Sequence, residues 1–339
     1  MSRVWSRLRR STEQVAESYE DLRAELDRLT EQNRAQPDRD TERRLLTLRH
    51  LAGIRMVEEA EPDPRHTEPD FDRLPEGNGH LPELSPHDLT PGLVRAGILR
   101  DGCVLVRGLV ERDDALRFAE GIERSFAERD RLGEGGSPAE GYYEEFAPDP
   151  RFEVEVRPWV QAGGGVLAAD APTLAFEMHE LFARAGLREL VAGYLGEPAM
   201  TSVHKTTLRK AEPSVAGAWH QDGAFMGDVR ALNLWLSLSR CGDEAPGLDI
   251  VPRRLDHIVA TGTEGTTVGF AVSQEMAERA AGEVSIVRPI FEPGDALLFD
   301  DLFLHHTGSD PSMPKPRYAI ENWFFGGSAF PADYAPLAV

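Results

Sequence analysis

PGDALLFDDLFLHHTG, residues 293 to 308, reads as a turn, a short apolar strand and a polar end. Pro293, Gly294 and Asp295 are turn formers, and Ala296 to Phe299 suits a strand buried on both faces. Two adjacent histidines, His305 and His306, follow that strand. They matter because WHQDG (219 to 223) lies 85 positions before His305 and places His220 and Asp222 two residues apart. On an extended segment that spacing puts both side chains on one face, where they can hold a single ion.

An H-x-D pair alone is weak evidence in a chain with ten histidines. The second segment changes its weight by offering a third ligand. Two imidazoles and one carboxylate on one face of an octahedron leave three positions open, which suits iron(II) holding a co-substrate and O2. Zinc prefers a closed or tetrahedral set. Arg317 comes twelve residues after His305 at the start of RYAIENWFF, a strand-like run, and its guanidinium can grip a carboxylate bidentately. With 34 arginines in the chain, that role rests only on its distance from His305.

Outward from these segments, short strand-like runs near 198–209, 231–238, 247–251, 284–291, 295–300 and 317–325 follow a strand at 102–110 and helices at 112–130 and 173–195. Short strands after helices predict an α+β fold, mainly β in its core: an antiparallel barrel or sandwich flanked by helices. The stretch GEGGSPAEGYY (133 to 143) has the composition of a loop that could cover a site. At the N-terminus, Val15, Tyr19, Leu22, Leu26 and Leu29 form a narrow apolar seam behind a capping box at 11–14. A second helical run spans 41–57, beyond Pro37. The expected organisation is a helical hairpin in 1–60, a linker in 61–85 rich in Pro, Glu, Asp and Gly, and the main domain in 86–339. The hairpin is expected to pack on the protein's own body, with a homodimer through these helices as the sharper alternative.

The chain has 339 residues, 41% of them hydrophobic, enough for a sizeable core. Its two cysteines cannot frame a disulfide scaffold, and MSRVWSRLRR lacks a signal-peptide core, so a cytoplasmic location is expected. No stretch has the length and apolarity of a membrane span. A formal charge of −21 argues against nucleic acid as a partner.

The chain resembles the phytanoyl-CoA dioxygenase-like family of Fe(II)/2-oxoglutarate-dependent oxygenases across roughly residues 86 to 326. The resemblance rests on WHQDG (219–223), LNLWLSL (232–238), GLDIVPRRLDHI (247–258), PGDALLF (293–299) and HHTG (305–308) followed by Arg317. It implies a double-stranded β-helix, a jelly roll of the cupin kind. It also implies that His220, Asp222 and His305 hold Fe(II), that Arg317 pairs with the distal carboxylate of 2-oxoglutarate, and that Thr307 bonds the same carboxylate. The ten-residue gap from Asp295 to His305 fits the family spacing and favours His305 over His306. Lys205 and Thr207 could face the co-substrate, whereas His204 and His257 are expected to be structural or solvent-facing.

The activity that the resemblance implies is oxidation of a C–H bond of a small-molecule substrate by O2, most simply hydroxylation, in the biosynthesis of a specialised metabolite. Halogenases of this type lack the carboxylate that Asp222 supplies here, which disfavours halogenation. Family members often have proline, glycine, serine and histidine after the central strand; PRRLDH (252–257) departs from this and leaves the substrate open. Arg209, Lys210, Arg253 and Arg254 would attract an anion, while Glu144 and Glu145 would attract a cation. Two other readings fit parts of the pattern. One is a silent jelly-roll binding module; the other is an iron oxygenase of this fold that needs no 2-oxoglutarate.

Overall fold

The computed structural model describes residues 18–77, 81–137, 141–214, 217–263, 266 and 268–339. Helix α1 (Tyr19–Ala35) begins at Ser18, whose hydroxyl accepts from Asp21 N–H while the Asp21 carboxylate accepts in return. The capping box expected at 11–14 lies outside the described residues. Pro37 separates α1 from α2 (Arg39–Glu58), which Asp38 caps. Leu22, Leu26 and Leu29 bury against Leu45, Leu48 and Ala52 of α2, so the seam is filled within the chain. Helix α2 in turn lies against the chain's C-terminal end: His50 Nδ1 is 2.8 Å from Pro336 O, and Arg49 donates to Ala338 O at 3.0 Å. A Cβ on Gly53 would come within 2.9 Å of the Pro336 backbone, so only glycine permits this approach.

Next come β1 (Glu83–Leu84), α3 (Pro91–Asp101), β2 (Cys103–Val106), α4 (Arg112–Gly133), α5 (Arg157–Ala162) and β3 (Gly165–Leu167). The helix predicted over 173–195 is two, α6 (Pro172–Arg184) and α7 (Leu187–Leu195), because Gly186 takes φ 66° and breaks the helical path. The remainder is β4 (Ala199–Ser202), β5 (Thr206–Ala211), the one-turn helix α8 (Gly223–Met226), β6 (Ala231–Ser237), β7 (Gly247–Ile250), α9 (Gln274–Ala281), β8 (Ala296–Phe299), β9 (His305–Gly308), β10 (Arg317–Gly326) and β11 (Pro336–Ala338).

The large sheet runs β1-β2-β8-β6-β10-β4-β11, with β5 also on β10 and β3 on β5. The small sheet pairs β7 with β9 and is widened by single bridges, His220 to His305 and Ile250 to Val287. The strand expected at 284–291 therefore survives only as bridges at Val287 and Phe291.

Alternation along each strand separates two cores. Leu234, Leu236, Leu298, Ile320 and Phe324 pack outward on helical residues such as Phe118, Ile122, Phe182 and Val191. Trp235, Leu297, Phe299, Ala319 and Trp323 point inward to Leu248 and Ile250 of the small sheet. This is an α+β jelly roll with helices over one face and a space between the two sheets. Among the described residues, no helix is long and apolar enough to cross a membrane.

Candidate metal centre

The small sheet brings the two histidine segments side by side. His220 N–H donates to His305 O at 3.0 Å and receives the reciprocal bond at 3.1 Å, so the two side chains rise together with ring centroids 4.5 Å apart. Gly217 makes this possible, because a Cβ there would meet the Thr307 backbone nitrogen at 2.7 Å. After His220 the chain turns into α8, which brings the Asp222 carboxylate under both rings. Asp222 Oδ2 lies 4.0 Å from His220 Nε2 and 3.9 Å from His305 Nε2. The ligand atoms of the three residues all fall within 4.8 Å of one another.

The tautomers suit a metal. His220 Nδ1 is 2.8 Å from Ala218 O and His305 Nδ1 is 3.0 Å from Phe303 O, so each Nδ1–H donates to a carbonyl and leaves the Nε2 lone pair facing Asp222. Burial, and next the neighbouring His220 imidazole, lower the His305 pKa to about 4. His305 is thus neutral near pH 7, the form a metal requires. His306 points the other way: its Nε2 is 3.1 Å from Asp249 Oδ2, and Arg288 clamps that same carboxylate at 2.5 and 2.8 Å.

Gln221, between two of the converging residues, was not singled out from the sequence. It faces away and ties three loops, donating to His257 O and Leu302 O and accepting from Val259 N–H at 2.7 Å. Its side chain is fully buried. Replacing it with alanine strands these backbone groups, and Gln221→Ala is expected to lower stability by about 2–3 kcal/mol. A urea melt reads this as a lower midpoint at unchanged slope.

Inside the barrel, Arg317, Glu321 and Trp323 alternate on β10, with Glu321 opposite Trp235 on β6 and Thr207 on β5. Arg317 is fully buried; Nη1 donates to Gly247 O at 3.1 Å, Nη2 reaches Glu321 Oε1 at 3.3 Å, and Nε has no partner among the described residues. Trp235 Nε1 and Asn233 Oδ1, on the same lining, are also buried without partners among the described residues. Two unmet donors, Arg317 Nε and Trp235 Nε1, fit a small carboxylate-bearing molecule, and the triad's two nitrogens and one oxygen fit a metal with open positions. Thr307 lies two residues along β9 from His305 and opposite Leu248, on the inner side.

The remaining residues singled out from the sequence sort by geometry. Lys205 sits beside the triad, with Nζ 3.6 Å from Asp222 Oδ1 and 3.9 Å from the Phe225 ring centroid. His204 is structural: Nε2 is 2.9 Å from Glu153 O, and Nδ1 accepts from Ala335 N–H. His257 is exposed beside Asp256. The charges read as substrate attractants are engaged elsewhere. Arg209 pairs with Glu321, Lys210 with Glu123, Arg254 with Asp300, Glu144 with Arg43 and Glu145 with Arg157, while Arg253 donates to Ala281 O.

No family model matches the chain. The curated L-proline trans-4-hydroxylase of Streptomyces griseoviridis is 25% identical over 185 residues, covering 48% of this chain and 69% of that protein. The chain is thus similar to an Fe(II)/2-oxoglutarate-type hydroxylase over about half of its length. Similar solved structures are more distant in sequence. EctD from S. alaskensis, crystallised with 2-oxoglutarate and 5-hydroxyectoine, is 19% identical over 79% of this chain and 84% of its own, at TM-score 0.49. The carbocyclase SnoK from nogalamycin biosynthesis is 15% identical over 72% and 86%, at TM-score 0.47. The triad stands between Phe225, which stacks on His220 at 6.3 Å, and Phe299, 4.8 Å from the His305 ring.

Proposed function

We propose that this oxygenase uses iron(II), 2-oxoglutarate and O2 to hydroxylate a C–H bond of a small molecule in the biosynthesis of a specialised metabolite. The observation that carries the reading is the convergence of His220 Nε2, His305 Nε2 and the Asp222 carboxylate, with both Nδ1 atoms held by backbone carbonyls. His220, Asp222 and His305 would hold the metal. Arg317, with Thr307 beside it, would hold the distal carboxylate of 2-oxoglutarate, and Lys205 and Thr207 would border the same space. When bound, iron and 2-oxoglutarate supply the activation of O2.

The chain's own residues do the rest. The carbonyls of Ala218 and Phe303 fix the imidazoles, Arg317 orients the co-substrate, and Phe225, Phe299 and Trp323 keep water from the reacting atoms. A relative named a proline hydroxylase supports hydroxylation as the outcome. Among the described residues of 61–85 there is no helix and only the short β1, which supports a linker between a hairpin unit and an oxygenase domain.

The test is anaerobic addition of iron(II) and then 2-oxoglutarate. A weak visible charge-transfer band is expected, followed on air by succinate release that a true substrate accelerates. Absence of the band overturns the reading. Arg317→Met is expected to raise the KM for 2-oxoglutarate about 10–100-fold, since a buried charge-assisted pair is lost, while iron(II) affinity stays unchanged. Steady-state kinetics with an iron titration alongside check both halves.

A further inference from the structure

A cavity of about 610 Å³ opens beside the metal triad, within the ~300–1,000 Å³ range of small-molecule sites. Its inner end is Lys205 and Phe225, both in contact with triad residues. From there the wall is aromatic: Phe270 meets Phe225 edge-on at 5.2 Å and His220 at 6.2 Å, and Trp159 meets Phe270 at 6.5 Å. Trp159 is 60% exposed, the most exposed large hydrophobic among the described residues, and it stands on this wall. A ring exposed on the wall of a cavity is placed to meet a ligand.

The charges around the cavity do not balance. Its two cations are engaged: Arg151 with Asp149 at 3.0 Å and Glu58 at 3.6 Å, and Lys205 with Asp222. Its three carboxylates, Glu153, Glu155 and Asp333, make no ion pair among the described residues, and all three are exposed at the mouth. His204 is bonded at both ring nitrogens and stacks on Tyr334, so it adds no opposing charge. Three unpaired carboxylates beside an open indole favour a positive group twice, by Coulomb attraction and by the ring face.

We propose that the substrate is a cationic amine with an apolar body: the body lies along Trp159, Phe270 and Phe225 toward the metal, and the ammonium is held at the mouth by Glu153, Glu155 and Asp333. This deepens the proposed function and rests on it only in taking the cavity as the substrate's.

Three probes share one apolar body and differ in charge: 4-phenylbutylamine, 4-phenylbutan-1-ol and 4-phenylbutyrate. Their dissociation constants for the full chain, loaded anaerobically with iron(II) and 2-oxoglutarate, are read by ligand-observed NMR. The amine is expected to bind at least about 10-fold more tightly than the carboxylate, with a preference that shrinks at high salt. Glu153→Gln, Glu155→Gln and Asp333→Asn together are expected to remove most of that ratio and leave the alcohol's affinity unchanged. These are surface substitutions, and the charge-transfer band of the variant reports an intact centre. A carboxylate that binds as well as the amine, or a ratio indifferent to the triple variant, overturns the inference. A missing charge-transfer band with the amine preference intact overturns the iron reading and leaves this one standing.

Discussion

Asp222→Ala is expected to abolish iron(II) binding and succinate release together, whereas His306→Ala, one residue from a triad member, leaves both in place. Outer-shell partners of a metal typically cost about 10–100-fold in affinity when removed, so loss of the one carboxylate ligand should exceed about 100-fold. Asp222→Asn keeps an oxygen donor without the charge and should fall between. Asp222 also balances Lys205, whose Nζ is 3.6 Å away, so the alanine variant leaves a largely buried ammonium without its anion. A thermal melt of the metal-free protein separates that destabilisation from the loss of iron. The contrast with His306 follows from β9, where successive side chains alternate: His305 faces Asp222 and His306 faces Asp249. The Asp249 carboxyl is held down to about 2 by Arg288 and His306 against the opposing pull of burial, and Arg288 remains in the variant. An isothermal iron(II) titration of the three variants decides the matter. Retention of full affinity by Asp222→Ala, or its loss in His306→Ala, would remove the proposed ligand set.

How much of this was open to the sequence follows from what each signal depends on. The triad was legible because its parts are local: an H-x-D on an extended segment, and histidines at the end of an apolar strand that a Pro-Gly-Asp turn starts. That turn is anchored as its composition suggests, with Asp295 accepting from Gly108 N–H and Glu292 N–H at 2.9 Å. The division of 173–195 was hidden because Gly186 is a weak breaker inside an otherwise amphipathic run, and only its φ reveals the turn. The strand at 284–291 was over-read: only Val287 and Phe291 form bridges, Ile290 stays exposed, and Pro289 has no N–H to give a ladder. Gln221 was missed because its work is done on loops 36 and 81 positions away. Two of the charges first weighed for the substrate, Arg209 and Glu144, are spent on partners more than a hundred residues distant in sequence. No periodicity announces such pairs.

The largest of these hidden arrangements is at Glu321. It lies opposite Thr207 and Trp235 with its carboxylate between two guanidiniums, Arg209 at 2.8 and 3.1 Å and Arg317 at 3.3 Å. Arg317 is buried, and burial pulls its pKa down while Glu321 opposes that pull, so the carboxylate offsets the cost of burying the guanidinium. Two cations against one carboxylate leave one net positive charge in the barrel, which matches the single distal carboxylate that Arg317 is proposed to hold. Removing one member of a buried ionic set costs about 3–5 kcal/mol. Glu321 keeps 26% side-chain exposure, so about 3 kcal/mol, the lower end, is expected for Glu321→Ala.

The pH dependence has a definite sign. Burial pushes the Glu321 pKa up, but Arg209 and Arg317 outweigh it and hold the carboxyl below its ordinary value. Its stabilisation is therefore fully present above the unfolded pKa of about 4.3 and is lost as pH falls through the lower folded value. Glu321→Gln should be less stable than the parent near pH 7 and should close on it as the pH falls below about 4. Urea melts of the two proteins at neutral and acid pH measure the gap. A gap that stays constant or widens on acidification would show that Glu321 does not act as the counter-ion of the two arginines.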